Sequence, residues 1–334
     1  MLNNRICLNK DELGIKIILK QKKNPLLSIG MPVYNAENYI KEAINSILRQ
    51  TCKDFELIIS DNGSTDGTQK ICEEYAHKDK RIKYIRHEHN RGAAWNYNYV
   101  VGLASGKYFR WAAHDDNLDP EFLKECVSIL EKDESVILAY TRAKLIDAKG
   151  IVTRYYTDKL NLDSPRISVR YRGFHDAYKG VHECNPVFGI MPIDILRKTK
   201  MIDTFIGSDI VLLGELALRG RIVEVPEYLF YLRIHPKNSW YANATDNDKI
   251  TWFDPSKSGK LIMPKWRHLW EYFKAINRVR MGFSERILCY RELIKWCWRN
   301  TRKLIREAAK FFLWPLIKLF GKVFCSNNKN KKIL

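Results

Sequence analysis

Two adjacent carboxylates, Asp115 and Asp116, follow the apolar run KYFRWAA (107–113) and His114. Neighbouring acids at a strand end can hold a hard divalent cation such as Mg²⁺ or Mn²⁺, with phosphate oxygens and water completing its shell. Helix capping does not account for them, because Asp119-Pro120 already supplies an N-cap and an N1 proline for the helix ending near Lys132. Four further groups can join this pair. MPVYN (31–35) ends one apolar run and releases Tyr34 and Asn35. DNGSTDGT (61–68) puts Asp61 at another strand end, where a carboxylate can accept hydrogen bonds from a nucleobase imide or a ribose hydroxyl; Ser64 or Thr65 is expected to cap the helix that follows. Asp209, in IGSDIVLLGEL, is either a helix cap or a general base for an attacking hydroxyl, with Glu215 as the alternative base. RIHP (233–236) releases Arg233 and His235, a fixed cation and an imidazole suited to a diphosphate or a metal shell.

These groups need a scaffold that delivers them to one place. From residue 26, short apolar β-type runs alternate with helical periodicity, the pattern of an α/β layered fold with a mostly parallel sheet. LLSIGMPV (26–33), FELIIS (55–60), IKYIRH (82–87), KYFRWAA and SVILAYT (135–141) read as strands. Ile40, Ala43, Ile44, Ile47 and Leu48 mark the first helix, and a later one runs from about Arg91 to Leu103. In such sheets ligands bind beyond the carboxyl ends of the strands, where the polar groups above are released. Residues 153–185 show weak periodicity and are expected to face an acceptor. SDIVLLGELALRG (208–220) reads as a helix closed by Gly220, and RIVEVPEYLFYLRIHP (221–236) as strand, turn, strand.

The 334 residues, 46% hydrophobic, suffice to bury a full core. The formal charge of +19 is concentrated at one end: residues 257–334 hold 20 Lys and Arg against 4 Asp and Glu, and residues 1–256 hold 37 against 34. The chain divides into an N-terminal extension (1–24), an α/β domain (25–256, with a half to 150 that carries most of the strand-end groups and a half from 151 expected to face an acceptor), and a basic, aromatic helical region (257–334). Eight cysteines without a C-x-x-C pair, and an N-terminus that charges interrupt every few residues, point to the cytoplasm. No apolar run reaches the length of a membrane span, FFLWPLI (311–317) coming nearest. The tail's tryptophans and phenylalanines among Lys and Arg suit a helix in an anionic membrane interface, on the inner face of the cell membrane; packing on the α/β domain is the alternative.

The order and spacing of these groups resemble the family 2 glycosyltransferases, inverting enzymes of the GT-A nucleotide-diphospho-sugar transferase fold. The resemblance covers roughly residues 26–236 and is strongest over SIGMPVYNAENYIKEAINSILRQTCKDFELIISDNGSTDGT. It implies that Pro32, Tyr34, Asn35 and Asp61 contact the nucleotide of a sugar donor, most commonly a UDP-sugar. Asp115 and Asp116 would form the metal and diphosphate motif, with Asp116 the direct ligand. NRGAAWNYN (90–98) corresponds to a family block that puts Arg91, Gly92 and Asn96 at the donor. Asp209 matches the catalytic base, although Ser208 stands where Glu is frequent, and His235 matches a metal-site or phosphate-site residue. The Q-x-x-R-W signature of processive synthases is absent, which favours single addition to a carbohydrate or lipid-linked acceptor in cell-surface polysaccharide or glycolipid synthesis.

Other classes fit less well. Nucleic-acid binding predicts a basic folded domain, whereas 1–256 is nearly balanced and carries acids at its strand ends. A nucleotide-sugar binder without activity would lack the base, and a nucleotidyltransferase would release pyrophosphate. No G-x-G-x-x-G follows the first strand, so a dinucleotide site is not expected.

Overall fold

The computed structural model describes residues 24–329, apart from 180–182, 184, 237, 239–242 and 244, with side chains through residue 313. All but the last residue of the expected N-terminal extension, and the side chains of 314–317, therefore lie outside the described residues.

Seven consecutive buried residues form β1 (Leu27–Val33), and seven more form β2 (Phe55–Asp61). Continuous burial is what strands covered on both faces require. With β3 (Ile82–Arg86) and β4 (Tyr108–Trp111) they build the parallel part of one sheet. Helices α1 (Ile40–Leu48), α2 (Thr68–Lys78) and α3 (Ala93–Leu103) are the crossovers. The α3 helix begins two residues later than the sequence indicates.

The chain then enters a second sheet through the two-residue β5 (Asn117–Leu118), followed by α4 (Phe122–Lys132), β6 (Val136–Ile146) and β7 (Val152–Tyr156). Asp119 is not the N-cap of α4: its carboxylate accepts from the Glu121 amide at 3.1 Å and closes the preceding turn. Residues 153–185, where little was legible, contain β7, α5 (Ile167–Ala177) and, from Asn185, a 3₁₀ turn that runs to Phe188. There follow β8 (Met191–Pro192), α6 (Ile193–Arg197), α7 (Ser208–Arg219) and β9 (Arg221–Arg233). β9 is one strand, not strand, turn, strand. Its pairing with β6 jumps from Val225 to Tyr228, so Pro226 and Glu227 are taken up as a bulge.

The first sheet has the order β3-β2-β1-β4-β8, with only β8 antiparallel, and the second the order β5-β9-β6-β7, with β6 and β9 parallel. The expected α/β architecture therefore holds, with its strands shared between two sheets. Asp115 and Asp116 sit where the chain crosses from β4 in one to β5 in the other. After α8 (Asp246–Phe253), the basic region forms α9 (Pro264–Arg278) and α10 (Phe283–Lys329). Their inner faces share a core with α5 and α7: Tyr272, Ala275, Ile276, Leu293 and Trp296 pack among Phe174, Leu212 and Leu216. No helix among the described residues is long and apolar enough to cross a membrane.

Candidate active site

The ends of β1 and β2 are laced together by side chain to backbone bonds. Asn35, at φ 51°, accepts from the Thr65 amide at 2.9 Å and donates its own amide to the Ser64 hydroxyl at 2.9 Å. Ser64 and Thr65 are thereby committed to this bridge and do not cap α2. The N-cap is Gly67, without a side-chain cap, and Asp66 closes the turn ahead of it by accepting from the Thr68 amide at 3.0 Å. Gly63 turns at φ 78°, a conformation side chains resist. Asp61 is wholly buried; its carboxylate accepts from the Ser64 amide at 2.8 Å and the Tyr84 hydroxyl at 2.7 Å, with Arg86 3.8 Å away. Pro32 is buried beside Ser60 in β2, and Tyr34 stands 44% exposed at the mouth.

The α3 N-terminus is fixed to the same edge. Asn62 accepts from the Arg91 amide and donates to Asn90 and the Gly92 carbonyl. Asn96 is buried and spends its amide on Ser60, donating to the carbonyl at 2.9 Å and accepting from the hydroxyl at 2.5 Å. It ties α3 to β2 instead of facing open space. The Arg91 guanidinium lies 3.9 Å over the Trp95 ring, which stacks on Tyr99. A Cβ on Gly92, at φ 89°, would meet the Phe253 carbonyl oxygen at 2.5 Å, so the chain after α8 closes against this turn only because a glycine is there.

At the crossing between the sheets, Asp116 Oδ1 accepts from the Arg233 amide at 2.8 Å and Asp115 Oδ2 lies 3.0 Å from His235 Nε2. Burial and the Asp115 charge push the Asp116 carboxyl well above the ordinary carboxylate range. Burial also raises Asp115, but the His114 charge and the His235 contact outweigh it and hold that group low. A cation bound between them would offset the like-charge repulsion that raises Asp116. Asp116 Oδ2 makes no hydrogen bond among the described residues. Nor do three or more His, Cys, Asp or Glu among them form a closed metal cage. An open carboxylate pair suits a hard cation that takes most of its shell from phosphate and water, so the donor set fits Mg²⁺ or Mn²⁺.

Arg233 works from behind. It is 1% exposed; its guanidinium donates to the carbonyls of Asp115, Asp147 and Ala148 and to Glu42. Sequence spacing suggested a phosphate-facing cation; the geometry makes it a brace that sets the height of the Asp115 backbone. His235 rests against Tyr39, ring centroids 4.7 Å apart, with Nε2 turned to Asp115.

Asp209 opens α7 and accepts from the Ile210 amide at 2.9 Å. Burial, then the charges of Asp115, Asp116 and Asp209, push the Tyr97 hydroxyl up. Tyr97 stands inside the NRGAAWNYN block, but nothing in its spacing distinguished it from core. Glu215, the alternative base, is excluded by its partners: 1% exposed, it binds Arg219 and Arg278, each at 2.6 Å.

Residues 28–198 match the profile described as Glycosyl transferase family 2. The chain belongs to that family. Among curated relatives, an uncharacterized glycosyltransferase of Haemophilus influenzae is 32% identical over 219 residues, 63% of this chain and 66% of its own. Chondroitin synthase of Escherichia coli is 36% identical over 129 residues, 39% of this chain and 19% of its own. The chain thus spans between about a fifth and two thirds of such relatives' length. Solved structures agree on the GT-A fold. S. aureus TarS 1–349 matches with TM-score 0.51 at 17% identity, covering 85% of this chain and 90% of that one. The Pyrobaculum calidifontis mannosyltransferase PcManGT, in complex with GDP-Man and Mn²⁺, matches with TM-score 0.52 at 15% identity, covering 86% and 74%. This family 2 glycosyltransferase therefore carries its carboxylate pair at the junction of two sheets in that fold.

Proposed function

We propose that this enzyme moves a sugar from a nucleotide diphosphate donor, a UDP-sugar being the first to test, to a carbohydrate or lipid-linked hydroxyl by a single inverting displacement. The observation that carries the reading is the adjacent pair Asp115 and Asp116 at the crossing between the two sheets, one carboxylate held by the Arg233 amide and the other by His235. Asp209 takes the acceptor proton as the acceptor oxygen attacks the anomeric carbon, and the bond from that carbon to the diphosphate oxygen breaks. Tyr34, Asn35 and Arg91 lie where the donor's nucleotide would enter, over a floor fixed by Asp61 and Asn96. Asp116, with Asp115 beside it and His235 orienting Asp115, would hold the divalent cation, which when bound offsets the charge of the departing diphosphate. Support for the cation comes from the donor set and from a structural relative described with GDP-Man and Mn²⁺.

A panel of UDP- and GDP-sugars, reading nucleoside diphosphate release with and without Mn²⁺, tests this. Chelation by EDTA should suppress release and Mn²⁺ or Mg²⁺ restore it. Asp209→Asn should lower transfer by roughly a hundred- to ten-thousandfold while donor affinity stays within about twofold. Turnover indifferent to chelator, or an Asp209→Asn enzyme as fast as the parent, removes the scheme.

A further inference from the structure

The two C-terminal helices are amphipathic twice over. Their inner faces are spent on the catalytic domain, as the shared core requires, yet α10 carries a second apolar stripe on the opposite side. Ile287, Ile294, Trp298, Ile305 and Phe312 are 50–77% exposed and recur at intervals of seven and four residues, which keeps them on one side of a helix. Phe273 of α9 extends the patch: it meets Tyr290 of α10 at 5.8 Å and stacks on Trp270 at 5.9 Å. Core packing explains the inner stripe and leaves the outer one unaccounted for.

The charge beside this stripe selects its occupant. The four acids of residues 257–334 are all engaged. Glu271 faces Arg267 and Lys274, and Glu292 faces Arg291 and Lys295. Glu285 accepts from the Ser168 amide at 2.6 Å, and Glu307 from the Lys265 and Trp266 amides. Arg291, Lys295 and Arg302 are exposed along one border of the stripe. The outer face is thus apolar at its centre and cationic at its margin. A second copy would bring the same cations against these. Single-stranded nucleic acid would want stacking platforms, whereas three of the five stripe residues are isoleucine. A bilayer of anionic phospholipid supplies both a hydrocarbon boundary and phosphates.

We propose that the exposed face of α9 and α10 docks this enzyme on an anionic membrane surface. Docking places the bilayer one helix from the candidate base: His268 of α9 lies 2.7 Å from the Ile206 carbonyl and packs against Gly207, directly ahead of α7 and Asp209. Resting on the transfer reaction proposed above, this geometry selects an acceptor whose hydroxyl is presented at a lipid surface.

Vesicle flotation of the full chain tests the docking face without any turnover. The parent should float with vesicles of phosphatidylcholine and phosphatidylglycerol, sink with pure phosphatidylcholine, and be released by salt. The double variant Ile294→Glu with Trp298→Glu should no longer float. Arg291→Gln with Arg302→Gln should partition roughly 25-fold more weakly, about fivefold for each cation lost. All four positions are exposed, so unchanged melting temperatures certify folding. Parent protein that ignores anionic vesicles, or variants that float like the parent, overturn the proposal. Trp298-dependent self-association without vesicle binding assigns the face to a second copy and overturns it too, as does binding of single-stranded RNA in place of vesicles. An inactive chain that still floats leaves the face standing and removes only the transferase reading.

Discussion

Around the ends of β1 and β2, Asp61 at the end of β2, Asn62 after it and Asn96 of α3 are each buried and each answered by neighbouring donors and acceptors. Three groups beyond residue 150 differ from these. Asp158, Tyr171 and His175 are as deeply buried, and each keeps a side-chain atom without a hydrogen-bond partner among the described residues. The ends of β1 and β2, which the proposed reaction makes the donor side, are thus held by polar geometry. The wall of α5, α7, α9 and α10, which that proposal makes the acceptor side, is held by apolar packing around these costly polar groups. A loop that must receive a nucleotide repeatedly in one pose gains from the first arrangement, and a wall that adapts to an acceptor can use the second.

The sharpest way to break this contrast is at Asp116. If the donor side is preorganised for charge it does not itself neutralise, Asp116→Asn should lower transfer roughly a thousandfold, about 4 kcal/mol of transition-state stabilisation. The same change removes one of two adjacent buried acids, so the melting temperature should not fall. A variant that loses both activity and several degrees of stability would make the pair a structural element.

Arg233 comes next, since it couples the two sheets rather than touching a ligand. Arg233→Leu takes the guanidinium donors from the Asp115 and Ala148 carbonyls and leaves Asp147 only its bond from the Gly150 amide, and should cost roughly 3 kcal/mol by denaturant unfolding. Glu215→Gln weakens two ion pairs on the acceptor side and should cost about 2 kcal/mol while kcat remains near the parent value, in contrast to Asp209→Asn. A Glu215 variant that folds normally but loses turnover would reverse the assignment of the base.

The same contrast governs what the sequence disclosed. β1, β2 and α1 were legible because burial on both faces of a strand and on one face of a helix leaves periodicity that a single chain shows. The carboxylates were legible because they stand at strand ends, where a run of apolar residues gives way to acids. Arg233 was misread because its partners come from the β4–β5 crossing, α1 and the β6–β7 turn, which no local pattern connects. α5 was missed because Ile167, Tyr171 and Phe174 are separated by arginines and Gly173, and contact with α7 and α10 decides its state. Pro226 suggested a turn in β9, yet a bulge absorbs it while the strand continues.

The smallest effect is the most specific to the acceptor side. Burial raises Asp158 to about 7, above an unfolded carboxylate near 4, so between those values the folded chain holds the extra proton and stability falls as pH rises. Burial depresses His175 to about 3, below an unfolded imidazole near 6.5, so from about 3 to 6.5 the unfolded chain holds the extra proton and stability rises with pH. The two slopes oppose one another within one wall of the molecule. Asp158→Asn should make the change in unfolding free energy with pH more positive by about 1.4 kcal/mol per pH unit between about 4 and 7. His175→Phe should make it more negative by the same amount between about 3 and 6.5. Denaturant titrations at a series of pH values read both differences directly, and two variants with parallel profiles would mean that these groups are already satisfied, leaving the acceptor wall as well matched as the donor side.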